Sequence, residues 1–382
     1  MKQENFQSNH APNEPTGGAA NEPSGSAANA ALTPKASPAP KSALIAMSGG
    51  VDSAAAAVLA MRDGYDCAGA IMSLYPGDTG AVTDARAAAG VLGLPFYSFD
   101  FCEQFSGLVI RRFIDAYRAG RTPNPCVDCN KHIKFGCFAD KALELGRDYV
   151  ITGHYARIER GADGRFLLKK GADPARDQSY VLYGLTQRQL SRAVFPLGGL
   201  TKTETRGIAR EAGLENAQRR ESQDICFVPD GDYAGFIERR AGETAQRGRF
   251  IGEDGEDLGV NRGVIHYTVG QRRGLGIPGP RPLYVLGIKP EDNTVVVGEK
   301  ERLFSKTLEA RDINLIPVDR LDSPVKARVR IRYRQTEQPA TVRQTGDDTL
   351  LIEFDEPQRA ITGGQAAVIY DGATVIGGGT IV

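Results

Sequence analysis

Residues 43–53 read Ala43-Leu44-Ile45-Ala46-Met47-Ser48-Gly49-Gly50-Val51-Asp52-Ser53, an apolar run, a glycine turn, and the start of an alanine-rich segment. Leu44 and Ile45 mark a buried strand, Gly49 and Gly50 let backbone approach a ligand, and Ser53 to Met61 favours helix. A helix opening directly after such a turn aims its unpaired N–H groups and positive dipole end at an anion. Ser48 and Ser53 add hydroxyl donors. No Gly-Lys-Ser/Thr follows, so the turn is not a Walker A loop. The plainer alternative is an ordinary strand-to-helix turn that needs glycine.

Outward from this turn the pattern repeats. Strands are expected at Ala43 to Met47, Ala68 to Leu74, Pro95 to Phe99 and Tyr149 to Thr152. Helices are expected at Asp84 to Leu92, Phe105 to Ala119 and Phe135 to Leu145. Such alternation implies an α/β fold with a parallel sheet, whose ligands bind beyond the strand carboxyl ends. The Ser48 turn, Met72 and Gly153-His154 then surround one crevice.

A chain of 382 residues predicts two or three domains. We expect a disordered tail over 1–41, the α/β domain over 42–225, a small central β module over 226–298 and a β-barrel over 299–382. Balanced charge, with 47 basic and 47 acidic residues, and 41% hydrophobic content fit an ordinary soluble protein. No run approaches the roughly 20 apolar residues of a membrane span. The tail lacks the apolar core of a signal peptide, and Glu4, Glu14 and Glu22 without arginine argue against a mitochondrial leader. A cytoplasmic location without membrane partners is expected.

Six cysteines in such a chain do not suggest a disulfide framework. Cys67, Cys102 and Cys137 read as small core hydrophobes. Cys126 and Cys129 lie in Arg121-Thr122-Pro123-Asn124-Pro125-Cys126-Val127-Asp128-Cys129-Asn130, where two prolines imply an extended loop before a helix. Lys131, His132 and Lys134 nearby are expected to ease thiol ionisation. A zinc-binding pair is the weaker reading, because no second CxxC is present.

In Val325 to Arg334, Lys326, Arg328, Arg330, Arg332 and Arg334 alternate with Ala327, Val329, Ile331 and Tyr333. This is a two-faced strand with one wholly basic face, which repels itself unless an anion is near. Phosphate contact is expected, on a surface that must be local because net charge is zero. A solvated barrel face is the alternative. Gly270 to Gly274 reads as an RNA-touching loop or a solvated turn.

SGGVDS resembles the signature of the PP-loop ATP pyrophosphatases, which split ATP between the α and β phosphates. TPNPCVDCNKHIKF, TGHYAR, RDQSYVLYGL, ESQDICF and YTVGQRRGLGI follow in order. Together they resemble the bacterial tRNA-specific 2-thiouridylase family from about Ala43 to the carboxyl terminus. The resemblance implies ATP-dependent thiolation at C2 of the wobble uridine, releasing AMP and pyrophosphate. It implies ATP binding by Ala46, Met47, Ser48, Gly49, Gly50, Val51, Asp52, Ser53, Met72 and Gly153, with Mg²⁺ accompanying ATP near Asp52. Cys129 matches the family's nucleophile, and Cys226 matches the cysteine that carries a persulfide and forms a disulfide with it. Asn124, Pro125 and Cys126 match the loop meeting the target base, and His154, Arg176, Asp177, Gln178, Arg332, Tyr333 and Gln365 match tRNA contacts. The implied sulfur source is a small sulfur-carrier protein or a cysteine desulfurase, acting on a monomer. Many family members carry Asp where this chain has Cys126. That departure admits a rival in which Cys126, Cys129 and Cys226 ligate an iron–sulfur cluster. Beyond it stand a different PP-loop ligase with incidental cysteines, and a persulfide carrier without turnover.

Overall fold

The computed structural model describes residues 41–77, 79–214 and 225–382. The expected tail lies outside them except for Lys41, as do Glu221 to Asp224 of the ESQDICF stretch. Strands β1 (Ser42–Ala46), β2 (Asp66–Ser73), β3 (Phe96–Asp100) and β4 (Tyr149–Ile151) form where the apolar runs put them. After a hairpin of β5 (Ala156–Arg160) and β6 (Phe166–Lys170), the two-residue β7 (Ala193–Val194) completes a parallel sheet in the order β3-β2-β1-β4-β7. Central β1 is buried at Leu44 and Ile45 on opposite faces, and the alanines of helix Val51–Arg62 pack into the core on the Ile45 side.

Helix Pro125–Asp128 runs without a break into the π-type turns Cys129–Cys137 and helix Phe138–Glu144. This corrects the expected extended loop around the two cysteines. Proline suits the first position of a helix, and Asn124 caps it by accepting a hydrogen bond from the Cys126 amide at 3.2 Å.

The central module follows helix Tyr233–Ala241. It is a four-stranded sheet of β8 (Gly248–Ile251), β9 (Asp257–Asn261), β10 (Tyr284–Lys289) and β11 (Thr294–Gly298), ordered β10-β11-β8-β9. Last come β12 (Phe304–Leu315), β13 (Val325–Arg330), β14 (Gln338–Gly346), β15 (Thr349–Arg359), β16 (Ala366–Asp371) and β17 (Thr374–Ile381). Pairing of β12 with both β15 and β17 closes these six into an antiparallel barrel. Closure satisfies the edge groups that an open sheet would expose. The expected strand Lys326 to Arg334 stops at Arg330, where residues 331–335 turn away. No described helix is long and apolar enough to cross a membrane.

Two devices join barrel to α/β domain. The β5–β6 hairpin continues the barrel sheet through the pairing of Lys169 with Thr374. Beside it, Arg330 on β13 meets Glu337 at 2.8 Å and Asp177 at 3.4 Å, while Lys170 meets Glu337 at 2.7 Å. A close backbone approach also sets the site: the turn Pro196–Gly199 presses on β5, so that a Cβ on Gly198 would lie 1.9 Å from the Ala156 carbonyl oxygen.

Gly198→Ala should therefore destabilise the protein by about 3 kcal/mol through overpacking. Gly199→Ala, whose Cβ would meet nothing within 4 Å, should stay within about 0.5 kcal/mol of the parent. Thermal denaturation of both variants checks this, and equal melting temperatures would refute the tight approach.

Candidate active site

The Ser48 turn leaves the carboxyl end of β1 and enters helix Val51–Arg62. Gly49 has φ +73°, and a Cβ there would lie 2.7 Å from Cβ of Asp84, so conformation and space both require glycine. Ser53 Oγ donates to the Gly50 carbonyl at 2.9 Å and accepts from the Ser48 amide at 3.1 Å. These bonds close the turn around the helix N-terminus. Ala46, Met47, Val51 and Ser53 are buried behind it. Gly153, just past β4, crosses so closely that a Cβ would sit 2.8 Å from the Asp52 carbonyl carbon. Met72 is half-buried on β2.

Asp52 does not stand alone. Lys202 Nζ lies 2.7 and 2.8 Å from its two carboxylate oxygens, and the Tyr155 hydroxyl donates to Oδ1 at 2.8 Å. Lys202 is nearly buried. It was missed in the sequence, although the Thr201 to Glu204 capping box that starts its helix is a readable signal. The box locates the helix but not the partner 150 residues earlier.

Between the α/β domain and the barrel lies a cleft of about 790 Å³. It gathers Asn124, Pro125, Cys126, His154, Arg176, Asp177, Gln178 and Tyr333 from the expected set, and Asp52 reaches it from the turn. Arg332 and Gln365 sit outside its lining and brace it. Arg332 Nη2 donates to Thr362 Oγ1 at 2.6 Å and to the carbonyls of Ala360 and Val269 at 3.1 and 3.2 Å. Gln365 Nε2 donates to the Thr122 carbonyl at 2.8 Å, and Thr122 N to the Gly363 carbonyl at 2.8 Å. With Thr122 Oγ1 donating to Thr268 Oγ1 at 3.1 Å, the loop before Asn124 is held by both carboxyl-terminal units.

The uniformly basic face is corrected in detail. Arg330 is taken up by Asp177 and Glu337, Arg328 donates to the Glu337 carbonyl, and Lys326 lies 3.7 Å from Asp355. Period-two alternation fixed the face, but the carboxylates opposing it come from elsewhere in the chain. Positive charge reaches the cleft through Lys134, Arg176 and Arg334 as well.

Buried His154 has Lys134 Nζ 3.4 Å from Nε2 and Thr152 Oγ1 2.7 Å from Nδ1. Burial, aided by the Lys134 charge, holds its pKa well below the usual imidazole range. An ammonium only donates, so Nε2 accepts and Nδ1–H donates to Thr152. Asn130 Nδ2 donates to the Val181 carbonyl at 3.1 Å, leaving its buried Oδ1 without a protein partner.

All six cysteines are free thiols. Cys67 is buried as expected, Cys137 is half-buried, and Cys102 lines a groove rather than the core. Cys126, Cys129 and Cys226 lie within one another's electrostatic reach. The expected easy ionisation is reversed. Desolvation raises Cys126 and Cys129 above the ordinary thiol value, opposed by Lys134. Lys131 and His132 instead line a second cleft with Arg112 and Asp128. Asp128 is bound there by Arg112 at 3.0 Å. Cys226 is pushed up to about 12, by desolvation first and by Cys129 and Cys126 next. Phe227 anchors the Cys226 segment by edge contacts to Phe105 at 5.7 Å and Phe113 at 5.2 Å. Among the described residues no three His, Cys, Asp or Glu side chains group closely enough to hold a metal ion, so the cluster reading gains no support.

Residues 41–230 match the family described as tRNA methyl transferase HUP domain, 234–299 its PRC-barrel domain, and 305–381 the aminomethyltransferase beta-barrel domain. The chain is 46% identical over 353 residues to tRNA-specific 2-thiouridylase MnmA of Clostridioides difficile, covering 89% of this chain and 98% of that protein. It is 45% identical to MnmA 1 of Caldanaerobacter subterraneus, covering 88% and 97%, and 46% identical to MnmA of Carboxydothermus hydrogenoformans, covering 89% and 97%.

A raised thiol pKa means less thiolate at neutral pH. Cys226 in the native protein should therefore react with iodoacetamide at pH 8 at least about tenfold more slowly than after unfolding, its rate still climbing at pH 9.5. Mass spectrometry of the labelled peptide reads this, and a plateau below pH 8.5 would contradict it.

Proposed function

Because this chain belongs to the tRNA-specific 2-thiouridylase family, we infer that it is an ATP-dependent tRNA sulfurtransferase that replaces the C2 oxygen of the wobble uridine by sulfur. The observation that carries the reading is the single cleft joining Asp52 of the anion-binding turn, Cys126 of the cysteine loop and the barrel's Tyr333. The domains divide at 42–225, 226–298 and 299–382, and one chain supplies every group below, consistent with a monomer acting on one tRNA in the cytoplasm.

The turn Ser48 to Ser53 receives the β and γ phosphates, its helix N-terminus and the Lys202 ammonium offsetting their charge. Ala46 and Met47 lead into it, and Met72 and Gly153 flank the adenosine side. Mg²⁺ suits one carboxylate plus substrate phosphates, and Asp52 would hold it, with Lys202 and Tyr155 fixing that carboxylate. The uridine O2 attacks the α phosphorus, pyrophosphate leaves, and a poor leaving group becomes AMP. Asn124, Pro125 and Cys126 border the base, with His154, Arg176, Asp177, Gln178 and Tyr333 toward the RNA. Gln365 holds the loop in place, and Arg332 ties the barrel to Val269 of the central module.

Sulfur then enters as a nucleophile. The terminal sulfur of a Cys226 persulfide attacks C2 and expels AMP, leaving a mixed disulfide. The Cys129 thiolate attacks Cys226 Sγ, so the bond to the transferred sulfur breaks and a Cys129–Cys226 disulfide forms. A dithiol reductant restores both thiols. The persulfide comes from a sulfur-carrier protein or a cysteine desulfurase.

With a protein sulfur donor, Cys129→Ser and Cys226→Ser should each lower tRNA thiolation by at least about a thousandfold, as loss of a covalent nucleophile does, while pyrophosphate release in the adenylation step persists. Chromatography of tRNA nucleosides beside a pyrophosphate assay separates the steps, and full thiolation by either variant would sink the relay. Lys202→Met should instead slow AMP formation at least about tenfold and leave tRNA binding unchanged. An unchanged AMP rate would remove Lys202 from the nucleotide site.

A further inference from the structure

Ile225 and Cys226 are consecutive, yet they line different cavities. Ile225 faces the cleft that holds Cys126 and Tyr333, whereas Cys226 lines a groove of about 1190 Å³, and the two linings share no residue. The segment is thus a partition between two spaces. It is held by Phe227, which packs on Phe105, Phe113 and also Phe236 at 5.2 Å. Leu74, Cys102, Gly107, Leu108 and Phe236 form the groove's walls, and exposed Glu103, Arg111 and Arg240 border it.

Loading a persulfide requires a donor sulfur to reach Cys226 Sγ. The cleft on the Ile225 side is basic and belongs to RNA; the groove on the Cys226 side is largely apolar. Its volume exceeds the usual 300–1,000 Å³, or about that, of small-molecule pockets, more space than sulfide or a free thiol needs. Two guanidinium groups against one carboxylate favour an acidic flank on whatever enters.

Resting on the persulfide role of Cys226, we propose that this groove is the docking site of the protein sulfur donor, which inserts an apolar, acid-flanked segment carrying a persulfidated cysteine. The Cys226 thiolate attacks the donor's terminal sulfur. The donor's S–S bond breaks, an S–S bond forms on Cys226, and the donor leaves as a thiolate with no net oxidation or reduction. Sulfur enters from the groove and leaves into the cleft, so the donor and the tRNA do not compete for one opening.

Gly107 offers the test, because a Cβ there would meet nothing within 4 Å and a large side chain can fill the groove without displacing the wall. Full-length protein, ATP and unmodified tRNA are supplied with sulfur from a cysteine desulfurase charged with L-cysteine or, separately, from sodium sulfide. Gly107→Trp and the double variant Arg111→Glu/Arg240→Glu should each cut persulfide labelling of the chain and tRNA thiolation from the desulfurase at least about tenfold. With sulfide, thiolation should stay within about twofold of the parent, a difference below 0.5 kcal/mol. Parental labelling in both variants, or equal loss with both sulfur sources, would overturn the docking site. Full desulfurase-driven thiolation by Cys226→Ser would instead remove the persulfide role on which the proposal rests.

Discussion

Two cations and two carboxylates meet where the barrel touches the α/β domain, and the site depends on that meeting. The Arg330 side chain is 14% exposed, Asp177 4% and Glu337 9%, with Lys170 completing the set. Charges so far from water cost several kcal/mol each unless paired. The seam therefore tolerates only arrangements in which β13 lies against the Asp177 turn. Asp177 also accepts from the amides of Gly171 and Ser179, which couples the seam to the loop presenting Arg176 and Gln178. The cleft is the space that this pairing leaves open between its two walls.

The thiols follow a similar logic of desolvation. Desolvation raises both Cys129 and Cys226 above the ordinary thiol value, so each carries less thiolate than a free cysteine would. Lys134 is the nearby charge that opposes this, and it adds to the burial that lowers the His154 pKa. One lysine thus links the thiol pair to the floor of the cleft. The π-type turns at Cys129–Cys137 set the register in which Cys129, Asn130 and Lys134 share that region, a placement that such turns often have at functional sites.

The parallel sheet was legible because its evidence is contiguous: an apolar run and a glycine turn in 43–53 suffice to name strand, loop and helix. Motif order singled out residues far apart in sequence, and nine of them, Asp52 included, line one cleft. What sequence could not carry was opposition across the fold. Alternation showed that Arg328 and Arg330 share a face, but not that Glu337 and Asp177 face them. Lysines near Cys129 in sequence suggested an acidic thiol, yet helical geometry turns Lys131 and His132 toward a different cleft. Lys202 was invisible for the same reason, since its helix cap is local and its partner Asp52 is not.

The central claim is that the anion-binding turn serves to make the base oxygen leave as part of AMP. A tRNA whose wobble uridine carries a heavy oxygen isotope at C2 tests it directly in a single turnover with ATP and a sulfur source. The account predicts that the label appears in the phosphate of AMP, in proportion to thiolated uridine formed. Thiolated tRNA accompanied by unlabelled AMP would contradict it.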